Sequence, residues 1–270
     1  MLISLCCKVR CLIFNGLLVL NTHSVVGRSV LITGAARRIG AEMARILHAA
    51  GMNIILHYHA SEQEAQALAK QLQALRANSV HLLQADLLRV SLIDVAAKAY
   101  QYWGQLDVLV NNASTFYPTP ITEVTEEKWE DLLGTNLKAP FFLSQACAPY
   151  LAQVGGSIIN MVDIHAQQPL KGFPVYSVAK AGLLMLTKAL ARELGPQVRV
   201  NAIAPGPILW PEQPQAMSGS DKEALIERTA LKRQGEPADI AKTALFLIRE
   251  GGYITGQIIA VDGGRSLGCF

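Results

Sequence analysis

The stretch Ser29-Val-Leu-Ile-Thr-Gly-Ala-Ala-Arg-Arg-Ile-Gly40 decides the fold, because it joins a short apolar run to a glycine loop. The run Ser29–Ile32 predicts a buried strand, and the residues after the loop predict a helix. Gly34 allows a tight turn after the strand, and Gly40 permits close packing of the helix, whose first N–H groups can bind a pyrophosphate. The loop departs from many of its kind at Arg38, where glycine is common. Ordinary strand-to-helix turns can also contain such glycines, so the rest of the chain has to decide.

The rest of the chain alternates short apolar segments with longer helical ones. Further strands are predicted at residues 53–57, 79–84, 106–110, 156–161, 198–202 and 257–261. Helices are predicted at residues 39–50, from about 61 onward, and at 88–103, 126–151, 175–194 and 237–249. Continuous apolar strands separated by helices indicate a parallel sheet covered on both faces. The predicted fold class is therefore α/β, a single-domain Rossmann-type doubly wound parallel sheet flanked by helices, with ligands at the carboxyl ends of its strands.

Composition fits one domain and gives no sign of a nucleic-acid partner. The chain has 270 residues, of which 51% are hydrophobic, and it contains neither a Gly/Pro/Ser-rich linker nor a repeat at solenoid spacing. With 24 basic and 21 acidic residues, the net charge is +3, and the charges are scattered. A surface that binds phosphate backbones needs clustered positive charge, so no nucleic acid is expected. We predict one domain over residues 28–270.

The first 27 residues form an extension before this domain. Their apolar run at residues 12–20 is too short to span a bilayer, so no membrane partner is expected. Lys8 and Arg10 precede the run as in a signal peptide, but no convincing small-residue cleavage site follows. Export therefore remains an alternative to an accessory extension or to a translation start placed too far upstream.

The cysteines are concentrated in this extension. The five are Cys6, Cys7, Cys11, Cys147 and Cys269. Their odd total and uneven placement argue against a disulfide framework, and no His or acidic residue accompanies them at ligand spacing. We expect reduced thiols, no metal site and a cytoplasmic location.

The end of the second strand distinguishes between nucleotide cofactors. An NAD-binding fold usually has Asp or Glu there to hold the ribose 2′-hydroxyl. Here the sequence is Leu56-His-Tyr-His-Ala-Ser61, which contains no acid. The residues that could instead surround a 2′-phosphate are Arg37, His57, His59 and Ser61, with the arginine as the permanent charge. This predicts NADP(H), although both histidines could equally be partly buried surface residues.

Tyr176 and Lys180 lie four residues apart in the segment Val175-Tyr-Ser-Val-Ala-Lys180. On a helix this spacing places both side chains on one face, with the ammonium beside the phenol. A nearby cation lowers the pKa of a tyrosine towards the range that a general acid or base needs. Such a pair more often covers an exposed helix surface, so the spacing is informative only together with the glycine loop.

Several separate segments together resemble the short-chain dehydrogenase/reductase family over nearly all of residues 28–264. They are the glycine loop, Asp86-Leu87, Asn111-Asn-Ala-Ser114, Asn136, Tyr176 with Lys180, and Pro205-Gly206. Within that family the chain is most similar to the pteridine reductases, through four narrower features. These are Arg38, the stretch His57-Tyr-His59, Ser114 followed by Phe116, and Asn160-Met-Val-Asp163. The last is the most specific, because most family members have serine at the Asp163 position to bind a substrate carbonyl.

The resemblance implies NADPH-dependent reduction of a dihydrobiopterin-like pterin, with biopterin, dihydromonapterin and dihydrofolate as further candidate substrates. Reducing a C=N bond requires a hydride at carbon and a proton at nitrogen. The resemblance implies that Asp163 and Tyr176, relayed to water, supply the proton and that Lys180 binds the nicotinamide ribose. Asn136 would help to organise the water relay, which makes these four the expected catalytic residues.

The resemblance also assigns the binding residues. The expected cofactor-binding residues are Gly34, Arg37, Arg38, Ile39, Gly40, His57, Tyr58, His59, Ser61, Asp86, Leu87, Asn112, Ala113, Ser114, Tyr176, Lys180, Pro205 and Gly206. The expected substrate-binding residues are Arg38, Ser114, Phe116, Asp163, Tyr176, Leu209 and Trp210. In this scheme Phe116 stacks on the pterin, Asp86 and Leu87 hold the adenine, and residues 207–220 form the substrate lid.

Plain structural roles compete with three of these assignments. Phe116 could belong to the core, Asp163 could cap the segment that follows it, and Asn136 could stabilise a local helix irregularity. In addition, Ala60 stands where closely related pteridine reductases often have an arginine for the 2′-phosphate.

Two other functions remain open. One is a 3-oxoacyl carrier-protein reductase or another carbonyl reductase, against which Asp163 argues. The other is a non-catalytic NADP-binding sensor, against which Tyr176 and Lys180 argue, since a sensor needs no proton donor. The resemblance further implies a homotetramer built through the helices at 126–151 and 175–194, which are apolar on more than one face. The tail 262–270 would then lie near a subunit boundary, unless it is a frayed terminus.

Overall fold

The computed structural model describes residues 24–209 and 219–267, together with two short strands in the N-terminal extension. Those strands, β1 (Cys11–Phe14) and β2 (Leu17–Leu20), pair antiparallel in a separate two-stranded sheet. The other expectations for the extension, and the expected lid residue Trp210, fall on residues outside the described parts.

A seven-stranded sheet forms the centre of the domain. Its strands are β3 (Ser29–Ile32), β4 (Asn53–Tyr58), β5 (Val80–Gln84), β6 (Val108–Asn111), β7 (Ser157–Met161), β8 (Arg199–Pro205) and β9 (Ile258–Val261). They run parallel in the order β5-β4-β3-β6-β7-β8-β9. The strand order reverses between β3 and β6, and ligands bind at such a point in doubly wound folds. The predicted fold class is confirmed.

Helices cover both faces of this sheet. They are α1 (Arg38–Ala49), α2 (Glu62–Leu75), α3 (Leu92–Gln101), α4 (Glu126–Leu133), α5 (Ala139–Ala152), α6 (Pro174–Glu193), α7 (Gly219–Glu227) and α8 (Pro237–Arg249). The strand β3 shows why its sequence is apolar throughout. Val30 and Ile32 pack in the core beneath α1, α2 and α8, whereas Leu31 packs in the core beneath α3 and α5. A strand buried on both faces has no polar side.

The stretch predicted as helix at residues 126–151 is helical throughout, but it is not one regular α-helix. After α4 the chain makes a π-helical turn at Gly134–Lys138 before α5 begins. The Asn136 side chain donates to the carbonyl of Leu132 at 2.9 Å, and Pro140 at the start of α5 has no N–H to continue the ladder.

The helix predicted at residues 88–103 is shorter than expected. It begins at Leu92, because Ser91 acts as its N-cap and accepts a hydrogen bond from the Asp94 N–H at 3.3 Å. The residues before it form a turn in which Asp86 Oδ1 accepts from the Leu88 N–H at 3.0 Å. Residues 86–88 are thereby left at the edge of the sheet, beside the functional cleft. No helix in the described parts of the chain is long and apolar enough to cross a membrane.

Candidate active site

A cleft of about 1670 Å³ opens at the carboxyl ends of β3, β4, β5 and β6. Most of the expected cofactor-binding residues line it: Gly34, Arg37, Arg38, Ile39, Gly40, His57, Tyr58, His59, Ser61, Asp86, Leu87, Asn112, Ala113 and Ser114. Although these residues are spread over eighty positions of sequence, parallel strands bring their carboxyl ends to one edge of the sheet. The structure thus brings together residues that the sequence could only place in order.

The glycine loop has the shape that a dinucleotide phosphate requires. Gly34 has a φ of +61°, and a Cβ on Gly40 would lie 2.4 Å from the Gly34 carbonyl oxygen. The Asn112 side chain donates to the carbonyls of Thr33 and Gly34 at 2.9 and 3.1 Å, which ties the loop to β6. Arg38 also lies in the left-handed region, with a φ of +54°, at the position where glycine is common.

The N-terminus of α1 suits an anion. Its N-cap residue, Arg37, makes no side-chain cap, and no acidic residue lies in the first helical turn. Within that turn no carboxylate competes for the first N–H groups of α1, and the helix dipole favours negative charge at this end. The residues present fit a nucleotide pyrophosphate.

His57 does not have the role expected of it. The side chain is buried beneath the loop, where Nδ1 accepts from the Gly34 N–H and Nε2 donates to the Ala85 carbonyl, both at 3.1 Å. Burial lowers the pKa of His57 to about 4, so the imidazole is neutral near pH 7. With both ring nitrogens engaged and no charge, His57 positions the loop and cannot pair with a 2′-phosphate.

Of the other residues expected at the 2′-phosphate, Arg37 and His59 are exposed and Ser61 is half-buried. Arg37 Nη1 lies 3.8 Å from Glu64 Oε1, and His59 Nε2 lies 3.7 Å from Asp86 Oδ2. Ser61 precedes α2 as its N-cap residue and makes no side-chain cap, so its hydroxyl is not committed to that helix. One arginine, one histidine and one hydroxyl fit an anionic 2′-substituent.

A second cluster of polar side chains lies at the carboxyl end of β7. Tyr176 on α6 donates its phenolic proton to Asp163 Oδ2 at 2.8 Å. The other carboxylate oxygen, Asp163 Oδ1, accepts from the His165 N–H at 2.8 Å, so Asp163 also has the expected capping role. Lys180 Nζ donates to the Met161 carbonyl at 2.9 Å and lies 5.6 Å from the centroid of the Tyr176 ring.

The pKa of Tyr176 is shifted in the direction opposite to expectation. Lys180 was expected to lower it, but burial and the charge of Asp163, which also accepts the phenolic proton, raise the pKa of Tyr176 well above its ordinary value. Lys180 is only 2% exposed, and this burial lowers its pKa to about 8, which weakens it as a source of positive charge. The chain therefore holds the proton firmly on the phenol.

Asn136 joins this cluster to the nucleotide cleft. It is fully buried in the π-helical turn, where its side-chain NH₂ donates to Leu132 and to the Thr115 carbonyl, the latter at 3.0 Å. Its oxygen Oδ1 accepts from the Ser114 hydroxyl at 2.5 Å. Asn136 thus stabilises the helix irregularity, and its part in a water relay stays a prediction.

Aromatic rings form one wall beside Tyr176. Phe116 is 51% exposed and so does not belong to the core. It stacks on Phe173, with centroids 4.6 Å apart and planes 8° apart, and meets the Tyr176 ring edge-on at 4.8 Å. Sequence reasoning missed Phe173, although its place immediately before α6 and three residues before Tyr176 was the available signal.

The remaining expected residues lie at the end of β8. Pro205 ends the strand. A Cβ on Gly206 would lie 2.6 Å from the Cα of Asp262, so the two backbone segments can approach this closely only with glycine at position 206. Leu209 is partly buried against the core on the α1 side of the sheet rather than standing alone in a lid.

Behind the site lies a buried polar network that the sequence did not reveal. The Asn111 side chain donates to Asn160 at 2.8 Å and to Ser144 at 3.1 Å, and Asn160 donates to the Thr187 hydroxyl at 2.9 Å. These bonds join β6 and β7 to α5 and α6, which hold the strands that carry Ser114 and Asp163 in a fixed relation. In the described parts of the chain, no cluster of His, Cys, Asp or Glu could hold a metal ion.

The sequence is similar to those of known proteins over most of its length. A family model described as enoyl-(acyl carrier protein) reductase matches residues 34–266. The chain belongs to the short-chain dehydrogenase/reductase family. It is 37% identical to pteridine reductase 1 of Leishmania tarentolae over 291 aligned positions, covering 91% of this chain and 99% of that protein. It is also 36% identical to a 3-oxoacyl-[acyl-carrier-protein] reductase of Staphylococcus epidermidis over 243 positions, covering 88% and 99%.

Family membership establishes an oxidoreductase that uses NAD(P)H and acts on a small molecule. Because two relatives with different substrates are almost equally similar, identity alone does not fix the substrate of this reductase. The side chains around Tyr176 have to distinguish between them.

Proposed function

We propose that this reductase is an NADPH-dependent pteridine reductase, which reduces a dihydrobiopterin-like pterin, with biopterin, dihydromonapterin and dihydrofolate as further candidates. The observation that carries the proposal is the 2.8 Å hydrogen bond from Tyr176 to Asp163. A carbonyl oxygen that becomes an alkoxide needs a neutral donor beside it, and a carboxylate would repel it. A ring nitrogen that must gain a proton is instead compatible with a carboxylate–phenol pair, through which a proton can pass from water.

Each residue of the site then has a definite task. NADPH, when bound, supplies the hydride. The phenolic proton of Tyr176 is directed at Asp163 Oδ2, so it would reach the substrate nitrogen only after this hydrogen bond reorients. Asp163, whose side chain is half-buried, would then pass a replacement proton from water to the phenolate. Phe116 and Phe173 offer a flat aromatic surface, to which a bicyclic pterin ring is well suited by stacking. Lys180, together with Tyr176, would bind the nicotinamide ribose.

The preference for NADPH over NADH is also part of this proposal. It is supported by the absence of an acid at residues 57–61 and by the presence of Arg37 and His59 on the cleft wall. Ala60 weakens the case, because it supplies no charge where related pteridine reductases often have arginine.

A carbonyl reductase is the second candidate, and its support is the 36% identity to the 3-oxoacyl reductase. The deciding experiment follows NADPH oxidation with dihydrobiopterin, dihydrofolate and an acetoacetyl thioester as substrates. We expect turnover with at least one pterin and little with the thioester. Ready reduction of the thioester with no reaction on any pterin would exclude the pteridine reductase and favour the second candidate.

The variant Asp163→Ser tests the role of the carboxylate itself. Loss of a charge-assisted hydrogen bond to Tyr176 should lower pterin turnover about tenfold or more, and the serine should permit some ketone reduction. The matched control is Asp131→Ser, because Asp131 likewise accepts a tyrosine proton, from Tyr117 at 2.9 Å. Equal losses in both variants would contradict the assignment of Asp163.

We also propose that the protein is a homotetramer in the cytoplasm. Large apolar side chains stay exposed on α5 and α6, at Phe141, Phe142, Val178 and Met185, and a subunit interface would bury them. Cys147 is a free and buried thiol, as is common in a reducing compartment. Light scattering tests the assembly, and a monomer at micromolar concentration would exclude it.

A further inference from the structure

Arg37 and His59, on the wall of the proposed 2′-phosphate site, both face acids of the same chain. Arg37 Nη1 lies 3.8 Å from Glu64 on α2, and His59 Nε2 lies 3.7 Å from Asp86. A 2′-phosphate therefore does not meet an unopposed arginine here. It has to rearrange the ion pair between Arg37 and Glu64.

The two acids differ in what else they do. Asp86 accepts from the Leu88 N–H through Oδ1 and lies 3.6 Å from Arg89 through Oδ2, so it has structural partners of its own. In the described parts of the chain, Glu64 has Arg37 as its recorded side-chain partner. It lies in the first turn of α2 and is about half exposed. Within the described residues, the side chain of Glu64 is thus directed to Arg37.

We propose that Glu64 is a specificity-determining residue, which occupies Arg37 in the absence of cofactor and lowers the discrimination between NADPH and NADH. A phosphate monoester carries about 1.5 to 2 negative charges near pH 7, so it must displace the carboxylate from Arg37 and then remain close to it. A ribose 2′-hydroxyl carries no charge and avoids both costs. This inference rests on the proposed NADPH site and is independent of the pterin substrate.

The expected effect is small and selective. An exposed ion pair between side chains contributes little, and releasing Arg37 from it corresponds to about a two- to fivefold change in affinity. The variant Glu64→Gln should strengthen binding of a 2′-phosphorylated ligand by that factor. It should leave a ligand without the 2′-phosphate unchanged.

Binding of two nucleotide fragments, measured by calorimetry on the full-length protein, tests this without any turnover. The fragments are adenosine 2′,5′-bisphosphate and adenosine 5′-monophosphate, which differ only in the 2′-phosphate. The matched control is Glu62→Gln, which removes the same charge from the same helical turn, although Glu62 instead accepts from Gln66 at 3.1 Å. We expect the ratio of the two affinities to rise two- to fivefold in Glu64→Gln and to stay constant in Glu62→Gln.

A double variant identifies how Glu64 acts. In an Arg37→Ala background, Glu64→Gln should change the ratio by less than twofold, because there is no arginine left to release. The inference is overturned if Glu64→Gln and Glu62→Gln shift the ratio equally, or if Glu64→Gln has its full effect without Arg37. The ratio in the unaltered protein separately tests the proposed NADPH preference. Even if that ratio is close to one, Glu64→Gln must raise it for the inference to hold.

Discussion

Tyr176 and Lys180 in the proposed catalytic cluster are buried, whereas Arg37 and His59 on the wall of the nucleotide cleft are exposed to solvent. The buried pair has hydrogen-bond partners at 2.8 and 2.9 Å, and the exposed pair has acidic partners at 3.7 and 3.8 Å. In a buried site each polar interaction is strong and its loss is costly, while exposed charges are screened by water and salt. Substitutions in the buried cluster and on the exposed cleft wall should therefore differ by orders of magnitude in their effect on turnover.

The largest effect is expected from Tyr176→Phe. Removing the phenolic oxygen removes the proton donor, and turnover should fall by about two to four orders of magnitude, the usual range for general acid catalysis. Affinity for NADPH, measured by fluorescence, should change little, because the phosphate loop is formed by other residues and the variant leaves it intact.

The control for this variant is Tyr117→Phe. Tyr117 lines the nucleotide cleft and, like Tyr176, donates to a carboxylate, that of Asp131, at 2.9 Å, so the same atom is removed from a similar hydrogen bond. We expect near-normal turnover in this control. Near-normal turnover in Tyr176→Phe would mean that Tyr176 is not the proton donor. The contrast between the buried cluster and the exposed cleft wall would then not hold.

An intermediate effect is expected from His57, which is buried beneath the glycine loop. Its folded pKa of about 4 lies below the unfolded value of about 6.5, so between these pH values the unfolded chain binds more protons. The free energy of unfolding should thus fall as the pH drops from 6.5 to 4, by on the order of 3 kcal/mol, and His57 should contribute no slope above pH 6.5.

Urea unfolding at several pH values tests this with two variants. His57→Asn keeps an acceptor for the Gly34 N–H but cannot titrate, so the slope between pH 4 and 6.5 should become shallower by about one proton. His59→Asn, two residues away and exposed, is the control for the loss of an imidazole at the surface. An unaltered slope in His57→Asn would show that His57 does not titrate as its burial requires.

The same contrast explains what the sequence could and could not predict. Gly34 and Gly40 were predictable because backbone geometry demands glycine at those positions wherever such a loop occurs. The pKa direction of Tyr176 was not, because it depends on the carboxylate of Asp163, which only the folded chain brings to 2.8 Å. Spacing along a helix revealed Lys180 and gave no information on its burial.

His57 was misassigned for a related reason. The strand β4 is buried on both faces, so alternation of polar and apolar residues gave no indication of which way each histidine points. His57 turns under the loop, and His59, just past the strand, remains exposed. The pairing of Arg37 with Glu64 was equally hidden, since it joins two helices that only the sheet brings together.

The smallest effect among these predictions is expected from Arg37→Ala on the exposed wall of the nucleotide cleft. A charge-assisted contact to phosphate contributes up to about 3 kcal/mol, but Arg37 is exposed and must first leave Glu64, so we expect NADPH efficiency to fall about tenfold. NADH efficiency should hardly change, and α1 should persist because Arg37 makes no side-chain cap.

The control Arg45→Ala removes the same charge from the same helix, where Arg45 pairs with Glu42 at 3.5 Å. Equal losses with both cofactors would mean that Arg37 acts on the shared pyrophosphate, and equal efficiencies with NADH and NADPH in the unaltered protein would leave no 2′-phosphate site to explain.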